Sequence, residues 1–102
     1  MFGNMLGDME SRQKEMKEKL SLIKLKADAG DGAITIECNA GGVIENIILD
    51  ESKIDLKDKE QMEDLLLIAM NRAMQLIRQT EATEGQKLIK DMLPPGMDNL
   101  FG

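Results

Sequence analysis

Six basic side chains fall within the first 26 residues: Arg12, Lys14, Lys17, Lys19, Lys24 and Lys26. A second set, Arg72, Arg78, Lys87 and Lys90, lies between residues 65 and 102. Local arrays of this kind can neutralise phosphate and release its counterions, whatever the net charge of the chain. Other chemistry is thin. There is no His, which excludes imidazole acid–base catalysis and His-ligated metal. A single Cys, Cys38, excludes an internal disulfide and a Cys-rich zinc site. It falls in a predicted strand, where a free Cys serves as a small buried apolar group. Asp28, Asp31, Asp50, Glu51 and Asp55 lack the spacing of a calcium loop and read as turn and cap residues. Gly30, Gly32, Gly41 and Gly42 lack the Gly-Lys-Ser/Thr ending of a phosphate loop. The expectation is no catalytic residue, no metal and no cofactor, and hence not an enzyme.

The elements that carry the basic sets are legible from periodicity. Leu6, Met9, Met16, Leu20 and Ile23 mark a narrow apolar stripe on a charged first helix, suited to one partner helix. Asp8 is its expected N-cap. From Leu22 the period changes to two, with Ile23, Leu25, Ala27 and Ala29 opposite Lys24, Lys26 and Asp28. Gly30-Asp31-Gly32 signals a hairpin turn. A second strand runs from Ala33 to Asn39, with Ile34, Ile36 and Cys38 on one face. Ala40-Gly41-Gly42 turns the chain again. Val43 to Leu49 is a third strand, interrupted by Glu45 and Asn46. Three strands with short turns predict an antiparallel meander. Asp58 is the expected N-cap of a second long helix that runs past Ile77 toward Gly85 and Met92, and Pro94-Pro95-Gly96 ends regular structure. The fold class is α+β: a single-domain α-β-β-β-α chain, its meander flanked by two long helices. The domain is expected over residues 1–93, with a flexible tail over 94–102.

The second helix is apolar over more than one stripe. Leu65, Leu66, Ala69, Met70, Ala73, Met74 and Ile77 are therefore candidates for a dimer interface, since a three-stranded sheet covers only one side. The core must be built without Trp or Tyr, because the only aromatic residues are Phe2 and Phe101, at the chain ends. Met5, Met9 and Met16 could line a groove between subunits or a partner site. The formal charge of −6 is uneven: residues 1–26 carry +2, residues 27–64 carry −8, and residues 65–102 carry none. A solvated helix surface and a pair of phosphate-binding arms both fit the basic sets. The N-terminus has no basic n-region or apolar h-region, and the longest apolar run, Leu65 to Met70, is far short of the ~20 residues of a membrane span. The expectation is a soluble cytoplasmic protein with no membrane partner.

Several segments together resemble the YbaB/EbfC nucleoid-associated family. The chain opens with Met1-Phe2-Gly3 and carries Gln13 and Met16 in a charged first helix. Gly32-Ala33-Ile34-Thr35-Ile36 leads from a Gly-rich turn into a strand. The second helix carries Glu63-Asp64-Leu65 and then Asn71 followed by Ala73, and the chain closes with Leu93-Pro94-Pro95-Gly96-Met97. Arg72 stands where that family commonly has an acidic residue. The resemblance implies a homodimer with projecting helices that binds DNA in the bacterial nucleoid, with roles in DNA organisation and gene expression. The candidate DNA-binding residues are then Arg12, Lys14, Lys17, Lys19, Lys24, Arg78, Lys87 and Lys90. With only Phe2 and Phe101, at the chain ends, as aromatic side chains, base stacking is not expected, so duplex rather than single-stranded DNA is the expected partner, with low sequence specificity and strong salt dependence. The alternative is an acidic dimeric module that binds another protein and has little DNA affinity.

Overall fold

Helix, three strands and a long helix follow one another: α1 (Phe2–Ser21), β1 (Lys24–Ala29), β2 (Ile34–Asn39), β3 (Ile44–Leu49) and α2 (Lys59–Met92). The computed structural model describes residues 2–92 and Gly96, with side chains described from residue 6 to residue 91. Of the expected tail, only Gly96, in a turn, is among the described residues; Phe101 and the side chains of Phe2 and Met5 lie outside them.

The strands form one antiparallel sheet in the order β1-β2-β3. Asp31 and Gly32 take positive φ, 55° and 88°, between Gly30 and Ala33, which the Asp-Gly pair tolerates. Gly30 also lets α2 approach: a Cβ there would sit 3.0 Å from Leu65 Cδ2. At the second turn the buried Asn39 accepts a hydrogen bond from the Gly41 N–H at 2.9 Å through its side chain. The break in alternation at Glu45 and Asn46 is a β-bulge. Glu37 pairs with Asn46 and Cys38 with Ile44, so Glu45 is the extra residue. The bulge puts Ile44 and Ile47 on the same face despite their odd spacing.

That face holds the core. Leu25 lies opposite Cys38, Ala27 opposite Ile36, and Ala29 opposite Ile34. α2 lies across β1 and β2, and Ala69, Ala73 and Ile77 meet Ile34, Ile36 and Cys38. Two alanines at the crossing allow the helix to sit close to the sheet. Asp58 caps it as expected, its Oδ1 accepting from the Gln61 N–H at 3.1 Å. Ile36 is wholly buried at the centre of this layer. Ile36→Ala is expected to cost about 2–5 kcal/mol, seen as a lower urea midpoint at unchanged slope and fixed protein concentration.

α1 begins earlier than the sequence suggests. Asp8, expected as its N-cap, is an exposed residue inside the helix. Helix continues through Gly7, which costs only about 1 kcal/mol relative to Ala. β1 also starts later, at Lys24 rather than Leu22. The Leu22 and Ile23 N–H groups donate to the Lys19 and Leu20 carbonyls at 3.2 and 3.1 Å, finishing the helix and leaving Leu22 exposed.

Candidate nucleic-acid interface

Thirty-four residues make α2 about 50 Å long at 1.5 Å per residue. Its first half crosses the sheet. Its second half meets α1: Lys19 reaches Glu84, while Arg12, Glu15 and Met16 share a groove with Leu88 and Asp91. Earlier residues of α1 meet later residues of α2, so the two helices run antiparallel as a paired arm. Of the α1 stripe, Leu20 is buried and Met16 half-buried, whereas Leu6 and Met9 are exposed.

Helical spacing sorts the basic residues of this arm. Arg12 and Lys19, seven apart, both line the groove facing α2. Lys14 and Lys17, three apart, share a different flank and are exposed. Among the described residues, neither makes an ion pair, and nor do Lys90 and Arg78. Lys19 and Lys87 are occupied, with their Nζ atoms 2.9 and 3.2 Å from Glu84 Oε2 and Oε1. Lys24 is paired with Glu45 across the sheet at 2.7 Å. Arg78 stands apart from the arm, in a cleft of about 240 Å³ with Gly42, Ile44, Met70, Met74 and Ile77. The structure therefore brings Arg12, Lys14, Lys17, Lys19, Lys87 and Lys90 onto one arm and leaves Lys24 and Arg78 at the sheet.

Glu84 is the residue that sequence reasoning missed. Ala69, Ala73, Ile77, Thr80, Glu84 and Leu88 recur every three or four positions, so Glu84 continues the inward stripe of α2. An ionisable residue on such a stripe requires a partner, and that was the available signal. Its carboxylate is only 10% exposed, whereas Lys19 and Lys87 are 59% and 62% exposed. The Lys19 ammonium, ahead of the Lys87 ammonium, holds the Glu84 carboxyl below the usual carboxylate range. A lowered pKa contributes stability above the ordinary glutamate range, and that contribution is lost as pH falls through the lowered value. Acidification should therefore loosen α1 from α2, lengthening the distance between spin labels at Glu10→Cys and Gln86→Cys. With Glu84→Gln added, that acid step should be absent.

The candidate dimer residues divide as well. Ala69, Ala73 and Ile77 are buried against the chain's own sheet, and Leu65 and Met70 pack partly against it. Leu66 and Met74 remain exposed, in an i, i+4 row with Met70. Beside them, β3 is bare. Ile47 and Leu49 pair with Ile36 and Ile34 and so share their face, but α2 does not reach them, and they are 47% and 43% exposed. Asp50 and Asp55 hold turns: Asp50 accepts from the Ser52 N–H, and Asp55 from the Lys57 N–H. Cys38 is buried, and burial, then Glu45, push its thiol pKa up. The Arg72 guanidinium donates to the Asp28 carbonyl at 2.8 Å, tying α2 to the outer strand.

The fold and site define a small α+β protein in which a sheet platform carries a paired-helix arm with exposed lysines. The chain belongs to the YbaB/EbfC DNA-binding family, whose model matches residues 1–92. A nucleoid-associated protein of Flavobacterium johnsoniae is 29% identical over 102 residues, spanning 95% of this chain and 94% of the relative. One of Clostridium novyi is 34% identical over 89 residues, spanning 87% and 75%. The crystal structure of an uncharacterized protein from Helicobacter pylori has the same fold, with a TM-score of 0.74 and 22% identity over 86% of this chain and 92% of that one.

Proposed function

We propose that the protein is a homodimeric DNA-binding protein of the bacterial nucleoid, cytoplasmic, gripping duplex DNA through phosphate with little sequence preference and affecting nucleoid organisation and gene expression. The observation that carries this reading is Lys14 and Lys17: two exposed cations on one flank of the arm, in ion pairs with no described residue. Lys90 and Arg12 add charge to the same arm. The family and the names of the relatives support DNA as the partner. The exposed Leu66 and Met74, in a row with the half-buried Met70 and beside the exposed Ile47 and Leu49, support a second copy of the chain, which would double the arms. No Trp or Tyr is available to stack bases, which favours backbone contact over single-strand recognition.

The test is a salt titration of binding to duplex and single-stranded DNA side by side. Duplex should bind more tightly, independently of sequence, and log K should fall linearly with log salt. Absence of duplex binding at low ionic strength would leave the second reading, an acidic dimeric protein-interaction module. The exposed Leu6 and Met9 at the end of the arm favour it, at 62% and 58% exposure. A stoichiometric protein captured from nuclease-treated extract would support that module.

A further inference from the structure

We propose that Glu84 is an internal competitor for phosphate, occupying Lys19 and Lys87 so that DNA must displace it to use them. The inference rests on the DNA-binding reading and assigns a regulation to that same arm. The geometry is specific. The two ammonium groups converge on one carboxylate from different helices, 2.9 Å from Oε2 and 3.2 Å from Oε1. The carboxylate lies beneath them, nearly closed to solvent, and the lysines stay more than half exposed. A phosphate approaching the arm therefore meets the lysines first. Their four-carbon stems allow each ammonium to turn outward.

The carboxylate would then remain behind, buried and without a counter-charge, which is unfavourable. Oε2 is already poorly served: it is buried and receives no well-aligned hydrogen bond, only the Lys19 charge. Glu84 thus opposes the transfer of both lysines to DNA, and the arm's affinity is set by the difference between two anions. Lys14 and Lys17 have no such competitor among the described residues.

The deciding experiment compares the unaltered protein, Glu84→Gln and Glu81→Gln in the salt-titrated duplex assay, with heparin chromatography as a second readout. Glu81 is exposed on the same helix, and its substitution removes the same charge without releasing a lysine. Glu84→Gln should bind duplex about 3- to 10-fold more tightly than Glu81→Gln at 100 mM salt, and its salt slope should steepen by about 0.9 for each lysine that gains a phosphate. Lys19→Gln should weaken binding more in the Glu84→Gln background than in the unaltered protein. Circular dichroism establishes that the variants are folded. Equal or weaker binding by folded Glu84→Gln, or equal Lys19→Gln effects in both backgrounds, overturns the proposal and makes Glu84 a strut of the arm. If no variant binds duplex, the DNA reading fails, and heparin judges the competitor alone. Later elution of Glu84→Gln than Glu81→Gln supports it, and co-elution overturns it. Should Glu84→Gln fail to fold, Lys87→Gln in the unaltered protein replaces it. A loss of duplex or heparin affinity as large as that of Lys90→Gln would show Lys87 already free and overturn the proposal, and a clearly smaller loss supports it.

Discussion

If the proposed dimer holds, the unaltered protein is expected to run in light scattering at twice the 11.4 kDa of a single chain, and a chain carrying Ile47→Asp and Met74→Asp at the single-chain mass. Neither residue belongs to the buried core of one chain; Ile47 is 47% exposed and Met74 44%. Both face the strip that α2 leaves open beside β3. If a second copy covers that strip, each Asp puts a carboxylate into an apolar contact, and two-fold symmetry places four there. An unsatisfied polar group in such a contact costs about 2–7 kcal/mol, so even the low end for two of them weakens the dimer roughly a thousandfold. In a single chain both carboxylates are solvated, so the helical circular dichroism should persist. A variant that keeps the dimer mass would move the interface elsewhere, and a monomeric parent protein at micromolar concentration would remove the dimer from the proposed function.

The same variant separates dimerisation from DNA contact. It leaves Lys14, Lys17 and Lys90 in place. Two arms on one duplex bind with an effective concentration set by their rigid connection. A monomer with an intact arm should therefore still bind duplex at low salt, with about half the salt slope.

What the sequence could reveal followed from local periodicity. A period of two fixes the faces of β1 and β2, and Asp58 before an apolar run fixes the start of α2, because both are properties of neighbouring residues. Glu45 and Asn46 broke the alternation, and the bulge there is the physical form of that break. Pairing at a distance left no such mark. Lys19 and Glu84, like Lys24 and Glu45, are far apart in the chain, so a count of basic residues included Lys19 and Lys24 without their acids; for Lys87 the acid lay only three residues away on the same helix. The breadth of the apolar surface on α2 was legible, but its division was not. Ala69 and Ala73 were the clue, since small residues mark the line where a helix meets its own sheet closely. The register of Glu84 with Ile77 was also available, and it pointed to a buried carboxylate in need of a cation.

Lys14→Glu with Lys17→Glu should weaken duplex binding roughly a hundredfold at 100 mM salt and flatten the salt slope by about 0.9 for each phosphate no longer neutralised. The two residues share one flank of α1, and neither makes an ion pair with a described residue. Each substitution removes a cation and adds an anion, taking the formal charge from −6 to −10. That global change is the main confounder, because a more acidic protein is repelled by DNA from any direction. Lys57→Glu with Lys59→Glu makes the same change at the far end of the molecule, where α2 begins. Acidic residues there are compatible with the helix dipole, so folding is preserved. Long-range repulsion alone predicts equal losses for the two pairs, largely erased above 0.15 M salt, where the Debye length falls below about 8 Å. Phosphate binding by the arm predicts a loss confined mainly to Lys14 and Lys17 and a slope that differs between the pairs at every salt concentration. Equal slopes would place the DNA-binding surface off α1, and the exposed flank of the arm would then be left to a protein partner.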